Sequence, residues 1–308
     1  MRRLLVGALL LASAPVVATA QGAGSASTIV LRLSPSPRAL ALGAAMAAVA
    51  DAFAVEFNPA ALAIGPAGGR ARAGASYQDL PVDVAAGAAV LGFAAPGGAA
   101  ALSVRFVDYG DVEVVEPTPG LPIGTPTGAI ATGGEVTALA GYAFAVGPVR
   151  LGVAGRWLRV DVAGLTDDAF AADVGALVAP REWLAIGAAV QNLGPDVEAG
   201  RAAPLPTTFR AGARVSRGLG PLDGMLALEG RRREERNGLG VGLEIGAGAP
   251  SLRAEARVGY ESRGAAGDAY SRLVFGAGIR ADRLGLDFAY RALGPLGSTR
   301  QFGLSFIF

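Results

Sequence analysis

The chain has 308 residues with 27 basic side chains against 26 acidic ones, so no net field recruits nucleic acid or an acidic partner. It contains no cysteine and no histidine. That excludes disulfides, thiolate metal sites, Ser-His and Cys-His catalysis and the commonest metal ligand, so neither an enzyme nor a metal or cofactor site is expected.

Residues 1–20 read as a cleaved signal peptide. Arg2 and Arg3 form a basic head, Leu4 to Leu11 an apolar run, and Ala18-Thr19-Ala20 a small-x-small cleavage site before Gln21. The run is too short to span a bilayer. Residues 21–70 are expected to form a short plug, or hatch, packed in the lumen of a barrel. Pro35 and Pro37 open the segment, Ala39 to Phe57 is small and apolar with only Asp51 and Glu56 charged, and Asn58-Pro59 breaks it. So apolar a stretch is no solvated tail.

Residues 71–308 are expected to be an all-β, transmembrane antiparallel β-barrel. The dominant signal is period two. Leu252, Ala254, Ala256, Val258 and Tyr260 face one way, while Arg253, Glu255 and Arg257 face the other. The stretch 84–102 is apolar enough for a helix, but Pro96-Gly97-Gly98 makes it two strands and a turn. Candidate strands run near nine to eleven residues, the length that crosses a bilayer at a tilt. Short connections alternate with longer polar ones at 108–132, 161–169, 194–206, 232–237, 261–269 and 291–299, as periplasmic turns alternate with outer loops. The last strand ends on Phe308, the kind of signal the barrel-assembly machinery reads. The count is about fourteen strands, near 72–78, 83–94, 99–107, 133–146, 149–160, 170–180, 183–193, 207–215, 222–231, 238–246, 251–260, 270–281, 283–290 and 300–308. A bacterial outer-membrane location, contact with its lipid and a monomeric state are expected accordingly.

The segment SPRALALGAAMAAVADAFAVEFNPAALA, residues 34–63, resembles the N-terminal signature of the PorV/PorQ-like proteins among the FadL-like outer-membrane barrels. Arg38, Leu40, Asp51, Asn58, Pro59, Ala60, Leu62 and Ala63 match it. Ala44, Ala45 and Ala61 stand where that family has Gly, and Ala52 replaces a second Asp. Ala172-Asp173-Val174-Gly175, Gln191-Asn192-Leu193-Gly194 with Leu205-Pro206, and Tyr109-Gly110-Asp111 are also similar. The resemblance implies a plugged fourteen-stranded barrel and two functions. One is an accessory partner in type IX-like protein secretion, meeting protein cargo or the translocon; the alternative is a transporter of long-chain fatty acids or other hydrophobic small molecules.

The candidate site residues fall into three groups. Arg38, Asp51, Asn58, Pro59 and Ala60 carry the plug motif. On the lumen face, Arg210, Arg214, Asp223, Glu229, Arg231, Glu244, Arg253, Glu255, Arg257, Arg272, Arg280 and Asp287 are expected to form mainly structural ion pairs across adjacent strands. In the longest loop, Tyr109, Asp111, Glu113 and Glu116 are the outer partner candidates. Arg231 to Arg236 is expected at a solvated hairpin tip.

Overall fold

The computed structural model describes residues 28–63, 71–119, 124–199, 202–234, 236–249, 251–262 and 272–308. The expected signal peptide lies outside them. The strands are β1 (Arg72–Asp79), β2 (Ala85–Ala95), β3 (Gly98–Asp108), β4 (Val112–Glu116), β5 (Thr125–Ala131), β6 (Gly133–Val146), β7 (Val149–Val162) and β8 (Leu165–Arg181). They continue with β9 (Leu184–Leu193), β10 (Thr208–Leu219), β11 (Leu222–Arg233), β12 (Arg236–Ala249), β13 (Leu252–Ser262), β14 (Leu273–Ala281), β15 (Leu284–Ala292) and β16 (Ser298–Ile307). All but β4 and β5 close into one antiparallel barrel of fourteen strands, with β1 paired to β16 from Arg72↔Ile307 to Asp79↔Arg300.

The alternation of side chains makes the wall. On β16 the outward Phe302, Leu304 and Phe306 are exposed, while the inward Thr299 and Gln301 are buried. On β3 Leu102, Val104 and Phe106 face out, and Ser103, Arg105 and Val107 face in. The molecule thus wears its apolar residues outside and its charges inside, the inverse of a water-soluble domain and the pattern a bilayer requires. Among the described residues no helix is long and apolar enough to cross a membrane. The apolar stretch 84–102 folds instead as β2, a turn at Pro96–Gly97, and β3.

Three connections differ from expectation. The stretch 161–169 is almost all strand, since Ala163 and Gly164 take φ of 52° and 84° and turn the chain between Val162 and Leu165 in two residues. Likewise β11 reaches Arg233 and β12 begins at Arg236, so strand takes up most of the stretch expected as the loop 232–237. The longest loop holds a hairpin of its own: β4 and β5 pair with each other, apart from the barrel sheet. Valine-rich Val112–Glu116 has high strand propensity, and Thr127 Oγ1 donates to the Val114 carbonyl at 2.9 Å to tie the pair.

Residues 28–63 thread the lumen. They include one short helix, α1 (Pro37–Ala41), with Ser36 Oγ accepting from Ala39 N as its N-cap, and 3₁₀ turns at Ala54–Glu56 and Pro59–Ala63. Leu42, Met46, Val49, Val55 and Phe57 are buried with Ala88, Val90, Leu139, Ala154 and Ala227 of the wall. Short elements suit the confined space, and nearly all their cohesion comes from the wall rather than from helix propensity.

Candidate functional site

The plug's body is seated in notches left by wall glycines. A Cβ on Gly152 would lie 2.2 Å from Ala60 N, one on Gly175 2.0 Å from Asn58 Oδ1, and one on Gly187 2.0 Å from the Ala47 carbonyl oxygen. Only hydrogen fits at these three places, so the wall backbone comes right up to the plug. Asn58, fully buried, donates from Nδ2 to Ala47 O at 2.6 Å and Ala176 O at 3.2 Å, and its Oδ1 accepts from Ala60 N at 3.1 Å. Asn58→Ala is expected to lower stability by about 2 kcal/mol, because buried backbone partners lose their bonds. Denaturant titration of the folded-band mobility in a detergent gel measures it.

Beside Asn58 stands a buried charge cluster. Glu56 Oε2 accepts from Arg105 Nη1 at 3.2 Å and Arg156 Nη2 at 3.1 Å, and Arg156 also reaches Asp173 Oδ2 at 3.3 Å. Burial pushes the Glu56 carboxyl up, but the two guanidiniums outweigh it and hold the group down at about 2. The motifs at Ala172–Gly175 and Gln191–Gly194 converge here. Asp173 Oδ1 accepts from Asn192 N at 2.7 Å, Asn192 Nδ2 donates to Pro206 O at 3.1 Å, and Gln191 Nε2 donates to Glu56 O at 2.8 Å. Asn192 takes φ 58°, a left-handed conformation that Asn tolerates better than most residues.

The second clamp is Glu229, whose Oε2 accepts from the amides of Met46 and Ala47 at 2.8 Å while Oε1 binds Arg210 at 3.0 Å. The third joins α1 to the wall. Arg38 donates to Glu244 at 2.8 and 2.9 Å, and Glu244 also binds Arg257 at 2.5 Å. Arg257 reaches Asp287 at 2.6 Å and also binds Glu255, which in turn meets Arg280 at 3.1 Å. Asp51 lies 3.9 Å from Arg38, and burial pushes its carboxyl up more than that cation lowers it. Next to α1, Ala44 adopts φ 56° where the resembled family carries Gly. That departure costs on the order of 1 kcal/mol of backbone strain.

The remaining candidates divide. Arg253 is paired at the inner end with Asp223 at 2.5 Å, and Arg214 is half-buried with its Nε unbonded. Arg272 Nη1 contacts Tyr260 Oη at 3.3 Å at the outer end. Tyr109 is not a free loop residue: its hydroxyl is bonded to Glu135, and burial and that carboxylate push its pKa up. Asp111, Glu113 and Glu116 are exposed at and on β4. Phe308 sits outside the wall, its ring 5.0 Å from that of Phe306.

The expected solvated tip is corrected at Arg233, while Arg231 takes the lumen-facing place also expected of it. Arg231 turns inward to Glu229 at 3.3 Å, Glu261 at 3.1 Å and the Gly43 carbonyl at 2.7 Å, and Arg233 donates to Thr208 at 3.0 Å. With the strands longer than expected, the period-two alternation carries on through 231–233. Arg105, Arg156 and Glu135 are not among the sequence candidates, although each stands between outward residues of an alternating strand, and that alternation is the signal that finds them.

Two cavities open at the outer end. An apolar vestibule of about 350 Å³ is lined by Ile29, Leu33, Leu80, Pro81, Val82, Val84, Leu293 and Leu296. Beneath it, sharing Leu33, Gln78, Glu261 and Arg291, lies a smaller chamber of about 60 Å³ whose wall carries seven arginines and two glutamates. Asp173, Glu229 and Glu234 pair with some of these arginines, which makes seven cations against five carboxylates among the described residues. Counted on those residues, the chamber is cationic.

A closed antiparallel barrel with an apolar exterior, an ion-paired lumen and an internal plug is a plugged barrel of the outer-membrane class. No protein-family model and no curated protein sequence matches the chain. Among solved structures it is similar to the Pseudomonas putida toluene transporter TodX, with a TM-score of 0.58 at 11% identity over 87% of this chain and 96% of that one. It is also similar to a deltaS2S3 mutant of the TodX monoaromatic hydrocarbon channel, with a TM-score of 0.56 at 11% identity over 82% and 93% of the two chains. At this identity the likeness concerns the fold alone: a closed outer-membrane barrel of the kind seen in TodX.

Proposed function

We propose that this chain, exported by a cleaved signal peptide to the bacterial outer membrane, passes hydrophobic small molecules that carry an anionic group. The observation that supports this reading is the apolar vestibule lying directly on the cationic chamber. An apolar tail fits the first by burial, and a carboxylate or similar head fits the second by charge-assisted hydrogen bonds. TodX, a toluene transporter, offers a precedent for apolar cargo through this fold. The arginines argue for a charged rather than a neutral one here.

Arg233 is the residue to change, because it reaches only Thr208 among the described hydrogen bonds. Arg233→Ala is expected to weaken dodecanoate binding about tenfold, the loss of one charge-assisted bond, and to leave toluene binding unchanged. Calorimetry on the purified barrel measures both. If the unmodified barrel binds no amphiphile and a deletion strain takes up dodecanoate normally, the proposal fails.

A secretion-partner reading draws on the hairpin of β4 and β5. Val112, Val115 and Ile130 stand more than half exposed there, beside Asp111, Glu113 and Glu116. Pull-down from native membranes with and without residues 111–131 tests it: secretion components lost with the hairpin would favour this reading over transport.

A further inference from the structure

The plug divides into a body and a strap. The body, residues 45–63, is locked by Glu56, Asn58 and Glu229 and by the glycine notches. Moving it would strip buried charges of their partners. The strap, Leu33–Pro37, carries no charged side chain and is held against β3, β16 and β1 by fewer bonds. Its Pro37 rests on Gly303, where a Cβ would stand 2.7 Å from the Pro37 Cγ. Arg105 Nη2 donates to Leu33 O at 2.7 Å, Gln301 Nε2 to Ser34 O at 3.0 Å, and Ser76 Oγ to Pro35 O at 2.7 Å. Pro35 and Pro37 have no amide hydrogen, so the strap cannot pair as a strand with the wall beside it. Both its ends are anchored: Ile29 and Val30 amides on Glu135 above, Arg38 on Glu244 below.

The strap is also the partition of the lumen. Ser34 and Pro35 line the outer chamber, and Ser36 and Pro37 line an inner cavity of about 270 Å³ that includes Asp51, Arg72 and Phe53. Behind the strap, against Ser76 and Gln301, lies a void of about 10 Å³. The strap's three bonds to the wall therefore cross a face whose packing is incomplete.

We infer that the strap is the gate: Leu33–Pro37 lifts from Ser76 and Gln301 and joins the outer chamber to the inner cavity along β16 and β1, while the body stays seated. A plug swinging at Asn58-Pro59 is the opposite arrangement, and the bonding of Asn58 opposes it. What crosses the gate rests on the transport reading; that the gate moves does not.

The chain has no cysteine, so introduced pairs are unique. Two versions of the full barrel are compared, each cross-linked by a short reductant-cleavable bismaleimide: Ser34→Cys with Ser76→Cys locks the strap, and Ala61→Cys with Leu177→Cys, neighbours in one buried cluster, locks the body. Small-ion conductance in planar bilayers and dodecanoate passage into proteoliposomes are read before and after cleavage. The strap lock is expected to lower both at least tenfold, restored on cleavage, and the body lock to leave both within twofold. A silent strap lock, or a body lock as strong, overturns the inference. Conductance that is gated while no dodecanoate moves keeps the gate and rejects the transport reading. Hydrogen exchange on the unmodified barrel supplies a measurement independent of any flux. Amides of Leu33, Ser34 and Ser36 are expected to exchange at least tenfold faster than those of Met46, Ala47 and Asn58, and equal protection overturns the gate.

Discussion

Gly187→Val is expected to unseat the plug while the barrel still closes. Gly187 faces the lumen on β9, where a Cβ would stand 2.0 Å from the Ala47 carbonyl oxygen and 3.0 Å from Asn58 Nδ2. The obstacle on one side is backbone, which cannot rotate away as a side-chain tip can. For the strand itself valine is favourable, being β-branched in a pleated wall. The strain therefore falls on the plug, whose body must shift and lose the Asn58 and Glu229 bonds together. Small-ion conductance is expected to rise at least tenfold, with the heat-modifiable folded band of the barrel retained. Gly155→Val is the control. Nothing lies within 4 Å of a Cβ there, so it should leave conductance unchanged. Loss of the folded band in Gly187→Val alone would show that the notch serves wall assembly rather than the plug.

Glu56→Ala is the second large effect. Arg105 would keep the Leu33 carbonyl and Arg156 would keep Asp173, but both guanidiniums lose the carboxylate they share in a site with almost no water access. Removing one partner of a buried pair costs about 3 kcal/mol or more, while Glu56→Gln, which keeps the shape, should cost less. The pH dependence comes from the same geometry. The Glu56 carboxyl sits at about 2 in the folded protein against an ordinary 4.5. Its contribution is complete above pH 4.5, where the unfolded chain is also ionised, and disappears as pH falls through 2. Hydrogen-exchange protection of residues 45–63 is expected to persist at about pH 4 and collapse near pH 2. Collapse already at about pH 5 would mean that the arginines do not hold the charge.

The strands were legible because each outward position must be apolar and each inward one need not be. Alternation in β13 or β16 is visible without knowing any neighbour, and even the alanine-rich β2 was betrayed by Pro96-Gly97. The hairpin of β4 and β5 was not, since a two-stranded sheet with both faces exposed has no buried face to impose a pattern. The plug motif was visible as a string of residues, but its meaning was not. Glu56 meets Arg105 and Arg156, 49 and 100 residues away, and no local rule pairs them.

The sequence by itself determined the all-β class, the strand count and the outward face of the wall, because each is a matter of nearest-neighbour periodicity and composition. Only the tertiary structure decided which arginine neutralises which carboxylate, that Arg233 points into the lumen, and that the plug has a bolted body and a lightly held strap. Those are contacts between distant segments brought together by barrel closure. Their strength depends on burial, which no stretch of sequence carries alone.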